Sequence, residues 1–164
     1  MKSEYTEVWT ENGVEIPITK KIVNLPFKRT SARALVVRKR DGAILGTLHV
    51  NRGNYALPGG AFENGETSAE AVMRELEEEN IVLINKDPSW KNKINVDYYE
   101  GYSELSVWHL IAVEDAEFGD CEENIESRWV SQDEDVWHPH LREKIIFAIS
   151  RLLPDMTIKS LKIE

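Results

Sequence analysis

Residues 57–82, LPGGAFENGETSAEAVMRELEEENIV, constrain the fold more than any other stretch of this chain. Gly59, Gly60 and Gly65 permit a tight turn and a close backbone approach that a side chain would forbid. Thr67 with Glu70 three residues on is a capping box, which predicts a helix starting at about Ser68. At 3.6 residues per turn Ala69, Val72, Met73 and Leu76 share one arc, and Glu75, Glu78 and Glu79 share another. One face goes to a core; the other gathers three carboxylates.

Carboxylates at i, i+3 and i+4 repel, so the arrangement calls for a positive partner. A solvated helix face is the ordinary reading of a Glu-rich helix. Here, however, a Gly-rich lead-in, a cap and Arg74 arrive together. Hard divalent cations such as Mg²⁺ or Mn²⁺ prefer carboxylate and carbonyl oxygen, and the stretch has no His or Cys to suggest zinc. Ala71, one turn before Glu75, is expected to leave room for the ions. Arg74, four residues from both Glu70 and Glu78, is placed to orient the carboxylates.

The stretch resembles the Nudix box, G-x5-E-x7-R-E-U-x-E-E-x-G-U with U a bulky aliphatic, matching it at Gly60, Glu66, Arg74, Glu75, Leu76, Glu78, Glu79 and Val82. Ile81 stands where the family has its second Gly. Asn80 tolerates the left-handed conformation and is expected to end the helix early. The resemblance covers about residues 32–153 and implies the α/β Nudix fold, an α/β/α sandwich with a mixed sheet, here preceded by an N-terminal β-hairpin.

With 164 residues the chain suits one domain, expected as a hairpin extension (1–27), a core (28–153) and a C-terminal tail (154–164). No apolar run approaches a membrane span, and the start MKSEYTEVWT has no apolar signal region, so the expected place is the cytoplasm. The single Cys121 fits a reducing compartment. The net charge of -9 is uneven: residues 1–58 carry 10 Lys and Arg against 5 Asp and Glu, and residues 59–164 carry 10 against 24. Such an acidic second part argues against nucleic-acid binding and would repel a phosphate ester unless cations mediate.

Taken in order, residues 5–24 read as two strands around Asn12-Gly13, a hairpin signal. In some Nudix enzymes such a sheet builds a dimer, so a homodimer is permitted. Residues 32–38 and 43–50 flank Asp41-Gly42 as a second hairpin of central strands. Tyr55-Ala56-Leu57 then delivers the chain to the box. Residues 88–93 read as a polar loop, 96–102 and 105–113 as strands, and 114–124 as an acidic loop. A last strand is read at 126–130 with Trp129 in the core, and a final helix carries the stripe Leu141, Ile145, Ile149 and Leu152.

The resemblance extends to individual residues. It implies that the Gly59 carbonyl, Glu75, Glu78 and Glu79 hold Mg²⁺ or Mn²⁺, and that Arg74 and Glu66 orient the site. A further carboxylate is expected from Glu122, Glu123 or Glu126, with Glu123 favoured. Arg52 is placed to reach a phosphate, Tyr98 or Tyr99 to stack on a base, and Trp137 to form a stacking platform. Pro139 and His140 stand where relatives that remove oxidised purine triphosphates read the base with acidic residues, so that specificity is not expected.

The implied activity is Mg²⁺-dependent hydrolysis of a pyrophosphate linkage in a small nucleotide: a nucleoside triphosphate or modified relative, with dinucleoside polyphosphates, ADP-ribose and nucleotide sugars as alternatives. A nucleotide-binding module without turnover is a further class, supported by Ile81. An isoprenoid diphosphate isomerase would need a core Cys and a His-rich metal site, which Cys121 and His49 do not supply.

Overall fold

Strand β3 (Arg29–Arg38) is the axis of the molecule because its residues alternate between two cores. Ala32, Ala34 and Val36 point to one face of the sheet, Leu35 and Val37 to the other, the period-2 pattern of a strand buried on both sides. The computed structural model describes residues 5–11, 14–19, 29–49, 52–63, 65–99, 104–121 and 125–153.

Around β3 lie β4 (Ile44–His49), β5 (Tyr55–Ala56), β6 (Gly59–Ala61), β8 (Ile94–Tyr99), β9 (Glu104–Val113) and β11 (Ile125–Val130). They form one seven-stranded sheet in the order β11-β4-β3-β9-β8, with β5 on β4 and β6 on β3. β3 and β9 run parallel over ten registered pairs, while the other pairings are antiparallel. Every residue of β9 is buried. The mixed sheet agrees with the expected fold.

One edge of β3 changes partner part-way along: Val37 pairs with Ile44, whereas Ser31, Ala32 and Arg33 pair with Ala61, Gly60 and Gly59. Between them the Ala34 N–H donates to the Pro58 carbonyl at 2.8 Å. This switch brings the glycines to the sheet.

Helix α1 (Ser68–Glu78) covers one face and α2 (Leu141–Leu152) the other. Under α1, Ala69, Val72 and Leu76 meet Val36, Ile111 and Val113; under α2, Ile145 and Ile149 meet Leu35, Trp108 and Leu110. The anticipated α2 stripe holds, with Leu152 at its margin. Removing a fully buried Leu or Ile from either core to Ala costs roughly 2–5 kcal/mol.

The N-terminal hairpin forms as read, β1 (Tyr5–Glu11) pairing antiparallel with β2 (Val14–Thr19). Two expectations are corrected. The acidic segment 114–124 is not simply a loop, because β10 (Asp115–Phe118) pairs with β7 (Ile81–Ile84), a strand the sequence reading passed over. Nor is 88–93 plain loop: Trp90–Asn92 form a 3-10 turn that buries Trp90 edge-to-face against His109, 5.3 Å between centroids. Among the described residues no helix is long and apolar enough to cross a membrane.

Candidate active site

The capping box sets where α1 begins. The Thr67 hydroxyl accepts from the Glu70 N–H at 3.1 Å, and the Glu70 carboxylate accepts from the Thr67 N–H at 3.0 Å, satisfying two donors at the helix start. The Thr67 contacts hold the Glu70 carboxyl below its usual range. One residue on, the Ser68 hydroxyl meets His109 Nε2 at 2.5 Å in the core.

At the other end Glu79 is the C-cap and Asn80 takes the left-handed conformation (φ 55). Its N–H donates to Glu77, its carbonyl accepts from Gly119, and its side-chain amide donates to Asp120. The helix therefore ends at Asn80 as anticipated, and Ile81, 5% exposed, joins the α1-side core.

Between these ends Arg74 gathers the acidic residues. Its Nε and Nη2 lie 2.6 and 2.9 Å from the two Glu66 oxygens, a bidentate pair, and Nη1 lies 3.1 Å from Glu75 and 3.2 Å from Glu78. Nη2 also donates to the Ala61 carbonyl at 3.0 Å, tying helix to loop through charge-assisted bonds. Glu66 in turn accepts the Glu63 N–H at 2.8 Å. Arg74, chiefly, holds the Glu66 carboxyl below its usual range, and Glu66 does most to keep Arg74 charged. Burial instead pushes Glu75 up, outweighing the opposing pull of Arg74.

The glycines bring backbone to these carboxylates. Gly59, at φ 152, runs so close to β3 that a β-carbon would overlap the Ala32 carbonyl. Gly60 faces Glu75: a β-carbon there would lie 2.5 Å from Oε1. Arg33 enters from β3, its Nη1 donating to the Leu57 carbonyl at 3.2 Å and reaching the Gly59 carbonyl at 3.5 Å.

The donors around this point are a carbonyl and carboxylates, the chemistry of a hard divalent cation, and the missing side chain at Gly60 is what lets the Glu75 carboxylate come up against the loop. Among the described residues no three His, Cys, Asp or Glu side chains are already gathered as a metal cluster, and Arg74 holds Glu75 and Glu78. The oxygen donors fit the ion.

The NUDIX domain model matches residues 27–148, three-quarters of the chain and all of this site. The chain belongs to the NUDIX domain family. As a Nudix pyrophosphohydrolase it joins hydrolases that generally use divalent metals. No curated protein matches its sequence. Solved structures do resemble it: a MutT from work on Aliivibrio salmonicida and Vibrio cholerae superposes at TM-score 0.54 with 18% identity, covering 75% of this chain and 98% of that one. An Ap4A hydrolase of C. elegans gives TM-score 0.58 with 15% identity over 76% and 98% of the two chains. A Francisella tularensis NMN adenylyltransferase/ADP-ribose pyrophosphatase, in complex with AMP and a Mn ion, gives 0.52 with 23% identity, covering 81% of this chain but only 43% of that one. At these identities the likeness is one of fold.

Within this Nudix fold not every anticipated residue reaches the box. Glu66, Arg74, Glu75 and Glu78 converge, and Glu79 is buried at 6% exposure beside them in sequence. Ala71 is corrected: at 0% exposed it packs in the α1-side core and leaves no room for an ion. Trp137 is 4% exposed and packs edge-to-face with Tyr55 in the α2-side core. Arg52 is exposed in a turn, its N–H donating to the His49 carbonyl. Glu126 accepts from the Tyr55 hydroxyl at 3.3 Å. Tyr98 and Tyr99 lie in β8, their side chains outside the described residues, as are Glu122 and Glu123 entirely.

Arg33 was missed by sequence reading. An Arg inside the apolar run ARALVVR was the available signal, since a strand buried on both faces keeps a charge only where it has a partner.

Proposed function

We propose that this Nudix protein hydrolyses the pyrophosphate linkage of a small nucleotide, with Mg²⁺ or Mn²⁺ held by the Gly59 carbonyl, Glu75, Glu78 and Glu79. The observation that carries this is the meeting of Gly60 with the Glu75 carboxylate, which sets a helix of carboxylates against the backbone of the Gly59-Gly60 turn. A divalent cation bound there would neutralise the pyrophosphate oxygens and acidify water.

The chain's own residues do the rest. Arg74 and Glu66 fix the carboxylates relative to the loop, positioning rather than reacting. A box carboxylate takes the proton of the attacking water; among Glu75, Glu78 and Glu79, it is Glu78, with its side chain 55% exposed, that is open to solvent. Glu123 is the candidate acid or base from outside the box. Nucleoside triphosphates or modified relatives are the proposed substrates, with dinucleoside polyphosphates, ADP-ribose and nucleotide sugars as alternatives, because selectivity rests on loops outside the box.

The experiment is phosphate and pyrophosphate release over that panel with Mg²⁺ or Mn²⁺ at mildly alkaline pH. Release from one group that stops with EDTA, returns with the metal, and falls at least 100-fold in Glu79→Gln supports the reading. Full activity in Glu79→Gln overturns the residue assignment, and silence of folded wild-type protein across the panel overturns the activity.

A further inference from the structure

Arg33 and a bound cation lay claim to the same oxygen. Arg33 sits opposite Gly59 in the β3–β6 register, and its Nη1 spans the Leu57 and Gly59 carbonyls. In the proposed function the Gly59 carbonyl instead faces the metal. Oxygen ligands stand about 2.0–2.6 Å from such ions, so ion and guanidinium sharing one carbonyl would lie within about 6 Å and repel. The Leu57 carbonyl gives Arg33 a second acceptor, so leaving Gly59 does not strip the guanidinium of its partners.

Its neighbour cannot take over the substrate's charge. Arg74 is already engaged by Glu66, Glu75, Glu78 and the Ala61 carbonyl. Among the described residues the hydrogen bonds of Arg33 both run through Nη1, which leaves Nε and Nη2 to offer the planar fork that matches a phosphate.

We propose that Arg33 is a positioning residue for the pyrophosphate: it holds the Gly59 carbonyl while the cation is absent, and turns onto a pyrophosphate oxygen when cation and substrate bind together. This rests on the proposed function. Cation and substrate then favour each other through Arg33, since the cation alone must displace a like charge and the substrate supplies that charge with a partner.

The test has two readouts in the full chain. Mn²⁺ alone, titrated by its free-ion EPR signal, binds at least threefold more tightly to Arg33→Met than to wild type, because the competing charge is gone. In steady state the same variant raises KM for the best nucleotide at least tenfold while kcat changes less. Arg33→Lys, keeping charge without the fork, gives a KM close to that of Arg33→Met; it carries the test should the Met variant not fold, melting curves checking both. Unchanged or weaker Mn²⁺ binding in a folded Arg33→Met, or an unchanged KM, overturns the proposal. If wild type hydrolyses nothing in the panel, the functional reading fails by itself, and the Mn²⁺ comparison still supports or overturns competition at Gly59.

Discussion

The α-carbon of Gly60 lies against the carboxylate of Glu75, so closely that a β-carbon would stand 2.5 Å from Oε1 and 3.0 Å from the carboxyl carbon. Glu75 cannot simply swing aside, because Arg74 Nη1 holds the same Oε1 at 3.1 Å. Strand β6 and helix α1 thus meet at a point where even one methyl group would intrude.

Gly60→Ala is expected to lower kcat at least tenfold by displacing Glu75, at a stability cost of about 1–2 kcal/mol. Gly59→Ala meets backbone rather than a side-chain end, at a φ that L-residues avoid. It should cost more than about 3 kcal/mol, and urea melts of the two variants side by side check the order.

Restoring the usual box glycine at position 81 should not improve the enzyme. Asn80 already supplies the left-handed residue, and Ile81 is 5% exposed in the α1-side core. Ile81→Gly removes that side chain and is expected to cost about 3–4 kcal/mol, lowering Tm by roughly 6–15 °C without raising kcat. A gain in activity at unchanged Tm would overturn this.

Trp137 is expected to matter for stability rather than for nucleotide affinity. Trp137→Phe vacates part of the α2-side core and should cost about 1–2 kcal/mol while leaving KM within twofold of wild type. A tenfold rise in KM would show that the ring meets substrate after all.

His109 makes stability depend on mildly acidic pH. Burial lowers its pKa from 6.5 to about 4. The neutral ring satisfies its contacts, with Nδ1–H donating to the Trp90 carbonyl and Nε2 accepting from Ser68. Between those values the unfolded chain binds a proton that the folded one refuses, so stability falls as pH drops from about 6.5 to about 4 and this contribution levels off below. The shift amounts to about 3 kcal/mol. Urea melts across that window should be steeper in pH for wild type than for His109→Gln; equal slopes would show that the ring is not kept neutral.

Much of the local structure was legible because it rests on neighbours in sequence. The box helix start at Ser68 follows from Thr67 and Glu70, and its end follows from the tolerance of Asn80 for positive φ. The hairpin at Asp41-Gly42 and the stripe of α2 follow from turn chemistry and periodicity. The convergence of Glu66, Arg74, Glu75 and Glu78 was readable in the same way, being set by one helix and its lead-in loop.

The tertiary structure decided what depends on strands meeting across the chain. Ala71 sits one turn from Glu75, yet only the sheet beneath α1 determines that it is buried instead of facing an ion. β7 and β10 are short, and each becomes a strand only when it finds the other. Trp137 lies in an irregular segment whose local pattern says nothing of the core it enters. Arg33 comes to the Gly59 carbonyl because β3 leaves β4 for β6 part-way along. The sequence alone determined the box, its helix and the charges it carries; the sheet decided which backbone oxygen and which arginine meet them, because those contacts join residues more than twenty positions apart.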